Sequence, residues 1–381
     1  MAIIAGVSVA NLYYNQPLLN MIREELGITE FQANLISTST QIGYALGLFF
    51  IVPLGDLIKR KTIVLTNFTF LIIALIVFGL AQALWLILAA SLVIGICSIV
   101  PQIFVPIAAE YSKPANKGQH VGFIISGLLI GILASRVFSG VTAAYLGWRS
   151  VFFIAAGLML LSTLVILKVL PETKPGFTGH YRALMSSILS LVRQHPALIS
   201  YSSRAALAFG AFLGMWSTLA FKMKLAPFYA DSNIIGLLGI CGIVGALSAS
   251  FIGKYVKQVG VRNFNIIGGL LMLLAWATLL LGENSYYAII PGIILLDIGM
   301  QCMQLSNQTS LLELAPDASS RINTVFMTIY FIGGSLGTFL AGIAWHIGQW
   351  HGVVLMGILL ILASMLVTFV ESRLSRQKSS S

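Results

Sequence analysis

The chain has 381 residues, of which 58% are hydrophobic and only 9% are charged, and its mean hydropathy is +0.94. Soluble domains carry about 25% charged residues, so this composition excludes a water-soluble fold and indicates an integral membrane protein. The net charge of +10 comes from basic residues clustered between apolar runs, which is a topology signal rather than a nucleic-acid-binding face. Cys97, Cys241 and Cys302 lie in apolar runs without disulfide or metal-ligand spacing, which predicts buried thiols.

Apolar runs of about 20 residues, the length that crosses a bilayer as a helix, occur twelve times. They are too continuously apolar for outer-membrane strands, so we predict an all-α membrane protein with twelve transmembrane helices. The first run lacks a basic leader and a cleavage site, and we expect a spanning helix there rather than a removable signal peptide. The predicted spans are 2–21, 34–54, 62–81, 84–108, 120–146, 150–170, 197–221, 234–253, 264–282, 286–308, 322–346 and 352–371.

Lys and Arg residues predict the orientation, because they are enriched in the cytoplasmic segments of membrane proteins. With both termini inside, 16 of the 22 basic residues fall in cytoplasmic segments and 4 in outer segments. The remaining two, Arg136 and Arg204, lie within spans. This bias predicts that both termini are cytoplasmic.

The two halves of the chain repeat each other at a shift of 202 residues. The residues that coincide at this shift are Pro114 with Pro316, Gly131 with Gly333, Gly140 with Gly342 and Trp148 with Trp350. Duplicated six-helix halves are typical of transporters that hold the substrate between them, near the midplane of the bilayer.

The longest polar connection, residues 171–195, separates the two halves. Its segment HYRALMSSILSLVRQ predicts a short amphipathic helix on the inner leaflet. The predicted divisions are an N-terminal six-helix bundle (1–170), a cytoplasmic linker (171–196), a C-terminal six-helix bundle (197–372) and a cytoplasmic tail (373–381).

The segment after the second span carries a family signature. Residues 52–61, VPLGDLIKRK, match the pattern G-x-L-a-D-r-x-G-r-k at Leu54, Asp56, Arg60 and Lys61 and depart from it at three other positions. Together with the repeat, these residues resemble the major facilitator superfamily over essentially the whole chain. The resemblance implies two six-helix bundles, alternating access and secondary transport.

Four further motifs resemble one bacterial branch of the superfamily that is grouped with drug and metabolite exporters. The motifs are NLYYNQPLL (11–19), GWR (147–149), LLDIGMQ (295–301) and SNQT (306–309). This resemblance implies a bacterial inner-membrane protein that exports a small organic molecule in exchange for protons.

Two positions depart from the pattern of many proton-coupled drug antiporters in the superfamily. Ser91 stands where those proteins carry an Arg four residues before a Gly, here Gly95. Ile132 stands where they carry a Pro directly after G-x-x-x-G. The antiport prediction therefore depends on the branch resemblance and on an acid elsewhere in the chain.

That acid is Asp297, about eleven residues into the tenth predicted span and so about 16 Å from its outer end. An isolated ionised carboxylate near the midplane costs several kcal/mol, so it must be protonated, paired or hydrated. We predict that Asp297 is the proton-binding group; the alternative is a fixed hydrogen bond between helices. Gln301 and Gln304 extend a polar stripe along the same face.

Polar side chains within spans predict a substrate cavity, because they are costly against lipid. Arg136 has three interpretations: a snorkelling or structural cation, a binding group for an anionic substrate, or a switchable partner of Asp297. Pro17 predicts a bend in the first span. The predicted cavity residues are Asn11, Tyr14, Asn15, Gln41, Arg136, Trp216, Gln301 and Gln304.

The charged segment after the second span predicts a gate. Topology alone explains Lys59, Arg60 and Lys61, whereas the family resemblance implies that Asp56 faces the start of the eleventh helix near Arg321. A helix N-terminus stabilises an anion by roughly 0.3–1 kcal/mol. Such a clasp would hold the two halves together in the outward-open state.

The chain has no G-x-x-x-x-G-K-[ST] signature, which argues against a pump driven by ATP. We predict a monomeric, non-enzymatic transporter without a cofactor or metal, whose partners are a small-molecule substrate, protons and the lipid bilayer, and not nucleic acid. One alternative is uptake or facilitated diffusion of an anionic metabolite recognised by Arg136. The other is a non-transporting membrane receptor on the same fold.

Overall fold

The computed structural model of this chain is helical in every regular element that it describes. Sequence features at Lys113, Pro114, Lys174, Pro316 and 380–381 lie outside the described residues, so the predictions that involve them stay predictions. The described residues are 1–112, 117–173, 179–314 and 318–379.

Two compact units make up the described chain. The first unit consists of Met1–Ser187 and Ala230–Ile240, and the second of Ile188–Tyr229 and Cys241–Ser381. In the first unit, α1 packs on α7, α3 on α5 and α4 on α8; in the second, α10 packs on α15 and α13 on α14. The helices are α1 (Ala2–Ala10), α2 (Leu19–Leu26), α3 (Glu30–Phe50), α4 (Arg60–Leu80), α5 (Leu84–Cys97), α6 (Val100–Tyr111), α7 (Lys117–Leu146), α8 (Trp148–Val169), α9 (Tyr181–Gln194), α10 (Pro196–Lys224), α11 (Ser232–Leu237), α12 (Gly242–Val259), α13 (Val261–Leu281), α14 (Tyr286–Leu314) and α15 (Ser319–Ser379).

Ten described helical segments are long and apolar enough to cross a membrane. One of them, Arg321–Glu371, contains two spans, because Gly348 and Gln349 have non-helical backbone angles in the middle of α15. The first predicted span is not among the ten, since its helix is interrupted. With these two adjustments the segments correspond to the twelve predicted spans.

The first predicted span, residues 2–21, is not one continuous helix as expected. Helix α1 ends at Ala10, a turn follows, and a 3₁₀ helix over Gln16–Leu18 leads into α2. Pro17 lies in that 3₁₀ helix, where it lacks the N–H that a continuing α-helix needs. The interruption places the polar residues 11–15 in a turn rather than on one face of a helix.

The eighth predicted span, residues 234–253, is also interrupted. A 3₁₀ helix over Leu238–Cys241 separates α11 from α12. Helix α11 belongs to the first unit, where Ser232 Oγ donates a hydrogen bond to the carbonyl oxygen of Gly140 at 3.0 Å. Short 3₁₀ segments are common at the ends of α-helices and as connectors between them.

Glycines allow the closest helix contacts in both units. A Cβ atom on Gly6 of α1 would lie 2.5 Å from the carbonyl oxygen of Gly127 on α7, and one on Gly210 of α10 would lie 2.7 Å from that of Gly333 on α15. Small residues permit such approach between membrane helices. These glycines therefore hold neighbouring helices together, whereas Gly122 has no neighbour within 4 Å of an added Cβ.

The GWR motif joins three elements of the first unit. Trp148 Nε1 and Arg149 Nε donate to the two carboxylate oxygens of Glu25, at 2.5 and 2.9 Å. Arg149 Nη1 also donates to the carbonyl oxygens of Gly79 and Ala81, at 2.8 and 2.7 Å. The last carbonyl oxygens of a helix have no N–H partner within the helix. Arg149 supplies that partner at the end of α4, so the GWR motif has a structural role.

The helix predicted in the connection between the halves is confirmed as α9. Its first residue, Tyr181, donates from its hydroxyl to the carbonyl oxygen of Phe50 at 3.0 Å. This bond ties the start of α9 to the end of α3. The predicted position of α9 on the inner leaflet stays a prediction.

Candidate functional site

Asp297 lies in the second unit, on α14, and is 8% exposed. Across the helix interface it faces Gly245 of α12, where an added Cβ would lie 2.7 Å from Cβ of Asp297 and 3.3 Å from Oδ1. Cys241, one helical turn before Gly245, is close enough for an electrostatic interaction with the carboxylate. The carboxylate is therefore held against α12 at a position that only a glycine leaves open.

The two amides that follow Asp297 on α14, Gln301 and Gln304, are half-buried. Gln304 Oε1 accepts a hydrogen bond from the hydroxyl of Tyr330 on α15 at 2.9 Å. The ring of Tyr330 stacks on Phe209 of α10, with centroids 3.9 Å apart and planes inclined by 14°. The polar stripe on α14 therefore meets aromatic rings at Gln304.

Trp216, another predicted cavity residue, is buried on α10 in the same unit. Phe212 lies 6.5 Å from it and 6.2 Å from Phe209, measured between ring centroids. Spacings of three and four residues place these three rings on one face of the helix. Phe209 and Phe212 are not among the predicted cavity residues, although their helical spacing from Trp216 is a signal that could reveal them.

Asn11 and Asn15 are buried in the first unit, and protein groups bond both. Asn11 Nδ2 donates to the carbonyl oxygen of Val7 at 2.9 Å. Asn15 Nδ2 donates to Thr40 Oγ1 at 3.1 Å, and its Oδ1 accepts from Ser37 Oγ at 2.9 Å. Asn15 therefore links the turn after α1 to α3.

Arg136 lies on α7 and is only 2% exposed, so it does not snorkel to the water. Its Nε donates to Gln16 Oε1 at 2.9 Å, and its guanidinium carbon lies 5.2 Å from the ring centroid of Tyr13. Gly239 packs so closely that an added Cβ would lie 3.0 Å from Cβ of Arg136. Gln16, which the sequence analysis leaves out of the site, thus supplies a partner for the buried guanidinium.

Gln41, on α3, is 1% exposed. Neither Nε2 nor Oε1 of its amide makes a hydrogen bond to the part of the protein that the structure describes. Buried amides nearly always have hydrogen-bond partners. Gln41 is therefore the predicted cavity residue whose polar atoms are least satisfied by protein groups.

A cavity of about 870 Å³ lies within the first unit, between α1, α6 and α7. Tyr14 borders it and faces Phe138, with ring centroids 5.6 Å apart. Asn11, Asn15 and Arg136 are not among its described lining residues. Of the predicted cavity residues in the first unit, Tyr14 is therefore the one that the described lining of this cavity includes.

Arg60 is the centre of the predicted gating segment. Its backbone N–H, at the start of α4, donates to Thr173 Oγ1 at 3.0 Å. Its Nη1 lies 2.6 Å from Glu110 Oε2, and its Nη2 lies 3.9 Å from Asp56 Oδ1. Thr173 is part of the PET sequence that follows α8, so this sequence caps a helix that begins 113 residues earlier.

The two lysines beside Arg60 also bond within the first unit. Lys59 Nζ lies 2.6 Å from Glu172 Oε2, and Lys61 Nζ donates to the carbonyl oxygen of Leu167 at 2.8 Å. The bond from Lys59 holds the pKa of the exposed Glu172 carboxyl below its ordinary value of 4.5. Arg321 lies in the second unit, so its pairing with Asp56 stays a prediction.

The second unit repeats this arrangement in part. Residues 253–262, GKYVKQVGVR, align with the signature segment 52–61 at a shift of 201 residues, which places Lys257 at the position of Asp56. Lys257 lies 3.0 Å from Glu313 near the end of α14. Both side chains are exposed, and exposed ion pairs contribute little to stability.

Among the described residues, no three His, Cys, Asp or Glu side chains lie close enough together to hold a metal ion.

Comparison with known proteins decides the family. The sequence profile described as Major Facilitator Superfamily matches residues 1–338 and 228–381, which together span the chain. The chain belongs to the major facilitator superfamily. This confirms the family resemblance and, with the helices described above, the predicted all-α fold of a multi-pass membrane transporter.

Relatives of this superfamily member are named as transporters. It is 36% identical to "Uncharacterized transporter YgaY" of Escherichia coli O157:H7 over 367 residues, which covers 96% of this chain and 93% of that protein. It is 25% identical to "Inner membrane transport protein YnfM" of Escherichia coli K12 over 384 residues, which covers 97% and 89%. These names place it among transporters without naming a substrate.

Solved structures share the fold of this superfamily member. A bacterial homologue of the human lysosomal transporter Spinster has a TM-score of 0.79 at 15% identity, covering 98% of this chain and 95% of that one. A point mutant of the nucleoside transporter NupG has a TM-score of 0.77 at 14% identity, covering 96% and 98%. At these identities the likeness concerns the fold alone.

Proposed function

We propose that this protein is a secondary active transporter that exports a small organic molecule in exchange for protons, with Asp297 as the proton-binding group. The observation that carries the proposal is the burial of this carboxylate within a transmembrane helix, pressed against Gly245. Intramembrane acids are expensive and typically functional.

Proton exchange follows from the chemistry of a carboxyl group at such a position. Burial favours the neutral form of a carboxyl group, whereas hydration favours the ion. A side chain that alternates between a closed and a hydrated environment therefore takes up a proton in one state and releases it in the other. Alternating access in a duplicated transporter fold supplies these two environments.

The direction of transport is supported by the four motifs that resemble the exporter branch, including LLDIGMQ around Asp297. An inner-membrane location is supported by the name of the relative YnfM and by the strong bias of basic residues. Export from the cytoplasm in exchange for incoming protons is the direction that a bacterial proton gradient favours.

The gate is proposed to be a clasp between Asp56 and Arg321. The observations that support it are the bonds that Lys59, Arg60 and Lys61 make within the first unit, beside Asp56.

Uptake of an anionic metabolite is the weaker candidate. It requires an accessible cation, whereas Arg136 is buried and already donates to Gln16. The described residues that line the first-unit cavity include no Lys or Arg. A non-transporting receptor is weaker still, because the relatives named above are named as transporters.

Metabolite and drug-susceptibility profiling tests the proposal in cells. Bacteria that produce the protein are compared with bacteria that produce Asp297→Asn at the same membrane abundance. We expect at least one organic compound to accumulate less in the cells that produce the wild-type protein than in the cells that produce Asp297→Asn. Equal accumulation of every compound in the two strains would contradict the proposal.

A further inference from the structure

The second half of α14 continues the helix face that carries Asp297. Three glutamines follow that acid at spacings of four, seven and eleven residues: Gln301, Gln304 and Gln308. With 3.6 residues per turn, these spacings place all four side chains within about 60° of one another around the helix. The distance along the axis from the acid to the last glutamine is about 16 Å. One polar face of α14 therefore extends from the acid to a point near the end of the helix.

Two hydrogen bonds join this polar face to α15, within the second unit. The hydroxyl of Tyr330 donates to Gln304 Oε1 at 2.9 Å. One turn further along α14, Gln308 Nε2 donates to Asn323 Oδ1 at 2.7 Å, and Gln308 belongs to the SNQT motif, residues 306–309. Side-chain hydrogen bonds of this kind help to hold membrane helices together. We call these two bonds the α14–α15 link.

A different face of α14 is bonded to α13. Asn307 Nδ2 donates to Asn265 Oδ1 at 2.8 Å, and both side chains are fully buried. Gly299 and Gly268 approach so closely that a Cβ on either would lie 2.7 Å from the carbonyl oxygen of the other. Consecutive residues of an α-helix are about 100° apart, so Asn307 points away from the α14–α15 link. The bonds of α14 to its two neighbours can therefore be removed separately.

At the other end of the polar face, Asp297 packs against α12. Its contact with Gly245 leaves no room for an added Cβ, and Cys241 is a titratable neighbour on the same helix. Burial favours the neutral carboxyl group and hydration favours the ion. Water reaches an acid that is 8% exposed only if its surroundings open. Opening at the Gly245 contact would displace α14 relative to α12.

A displacement of α14 at the acid would reach the α14–α15 link, because helices move as stiff elements. The link lies at Gln304 and Gln308, two and three turns beyond Asp297. Asn323, which accepts the second bond of the link, lies two residues after Arg321, the proposed gating residue. The link is therefore placed between the acid and the start of α15.

We propose that Gln304 and Gln308 are positioning residues, which transmit the protonation state of Asp297 to the first half of α15 through the α14–α15 link. Neither glutamine binds the proton; each holds its partner, Tyr330 or Asn323, in a position that follows α14. The proposal rests on the proposed function, because it presupposes that Asp297 gains and loses a proton during transport.

Hydrogen exchange of the purified full chain in detergent tests the proposal. Asp297→Asn, which has an uncharged side chain of the same shape, stands for the neutral acid. The response is the fold-change that this substitution causes in the exchange rates of the backbone amides of residues 321–330. It is measured in the wild-type background and in the double variant Gln308→Leu/Tyr330→Phe. This double variant removes both bonds of the link and retains an aromatic ring to stack on Phe209.

Asn265→Leu is the matched control background, because it removes the bond of Asn307 to α13 and leaves the α14–α15 link in place. We expect a response of about fivefold or more in the wild-type and control backgrounds, the lower end of common couplings between sites. In the double variant we expect less than half of the wild-type response on a logarithmic scale. Gln308→Leu and Tyr330→Phe alone each keep one bond and should give intermediate responses, which test the link even if the double variant does not fold.

Three results would overturn the proposal. They are a smaller response in the wild-type background, a response in the double variant of half the wild-type value or more, and an equal loss of the response in Asn265→Leu. None of them would decide whether Asp297 carries the proton, because hydrogen exchange involves no substrate and no proton gradient. Proton flux at the wild-type rate through Asp297→Asn would instead contradict the proposed function.

Discussion

Gly245 of α12 touches the side chain of Asp297 on α14 so closely that a single added methyl group would lie 2.7 Å from Cβ of the acid. Contacts below 3.0 Å between carbon atoms force a shift of one partner. Since the nearest atom is the first carbon of the Asp297 side chain rather than a flexible end, one of the two helices must move. The position of the carboxylate thus depends on the absence of a side chain at residue 245.

Gly245→Ala is expected to impair proton-coupled transport. Overpacking of this kind costs about 1–3 kcal/mol, and a transport barrier raised by the same amount slows the step by roughly 5- to 150-fold. Gly253→Ala on the same helix is the matched control, because an added Cβ there has no neighbour within 4 Å. Initial transport rates in proteoliposomes separate the two variants, and equal rates would show that the close contact has no bearing on the acid.

Arg136 and Gln16 are expected to act as a structural pair. We measure the free energy of unfolding in detergent for Arg136→Met, Gln16→Ala and the double variant. The coupling energy of this double-mutant cycle should be about 0.5–3 kcal/mol. The physical reason is the buried hydrogen bond from Nε to Oε1. A cycle between Gln16→Ala and Arg149→Met, whose side chains bond to different partners, should be additive within about 0.5 kcal/mol. A coupling near zero for the first pair would return Arg136 to the list of substrate-binding candidates.

Thr173 is expected to cap α4 from a distant part of the chain. Thr173→Val removes the acceptor of the Arg60 N–H and should cost about 0.5–2 kcal/mol, as for other helix caps. Hydrogen exchange of the amides in the first turn of α4 should accelerate accordingly. Thr163→Val is the control, since that hydroxyl donates to Met159 of its own helix. Equal exchange in the two variants would contradict a capping role.

Glu172 predicts a pH dependence at the gating segment. Because Lys59 lowers the pKa of this carboxyl in the folded state, the pair contributes stability above pH 4.5 and loses it as the pH falls through the lowered value. The thermal midpoints of wild type and Glu172→Gln should differ by a small constant amount above pH 4.5 and converge below it. A difference that grows as the pH falls would contradict this assignment. The pair is exposed, so the effect is small.

Apolar run length predicts the twelve spans because a stretch of about 20 apolar residues has few alternatives to a helix in a bilayer. The interruptions are harder to predict. Pro17 marks the break in the first span, whereas the 3₁₀ helix over Leu238–Cys241 is as apolar as the helices on either side. Its geometry depends on contacts such as that of Gly239 with Arg136, which hydropathy does not record.

The hydrogen-bond partners of the site residues are the feature of the site that the sequence predicts least well. Gln16 and Arg136 are 120 residues apart in the chain, and no periodicity connects them. A polar side chain in a span can be satisfied by a cavity or by a neighbour: the sequence assigns Asn15 to a cavity, and the structure bonds it to Ser37 and Thr40. Asp297 is different, because its cost in a membrane is evident from the sequence itself.

Proton flux through Asp297→Asn tests the central claim most directly. The full chain is reconstituted in liposomes that contain a pH-sensitive dye, and the compound identified by profiling is added outside. Asp231→Asn, a matched change at an exposed residue before α11, is the control. We predict substrate-dependent proton flux in wild type and Asp231→Asn, and none above empty liposomes in Asp297→Asn. Proton flux at the wild-type rate in Asp297→Asn would contradict the assignment of Asp297 as the proton carrier.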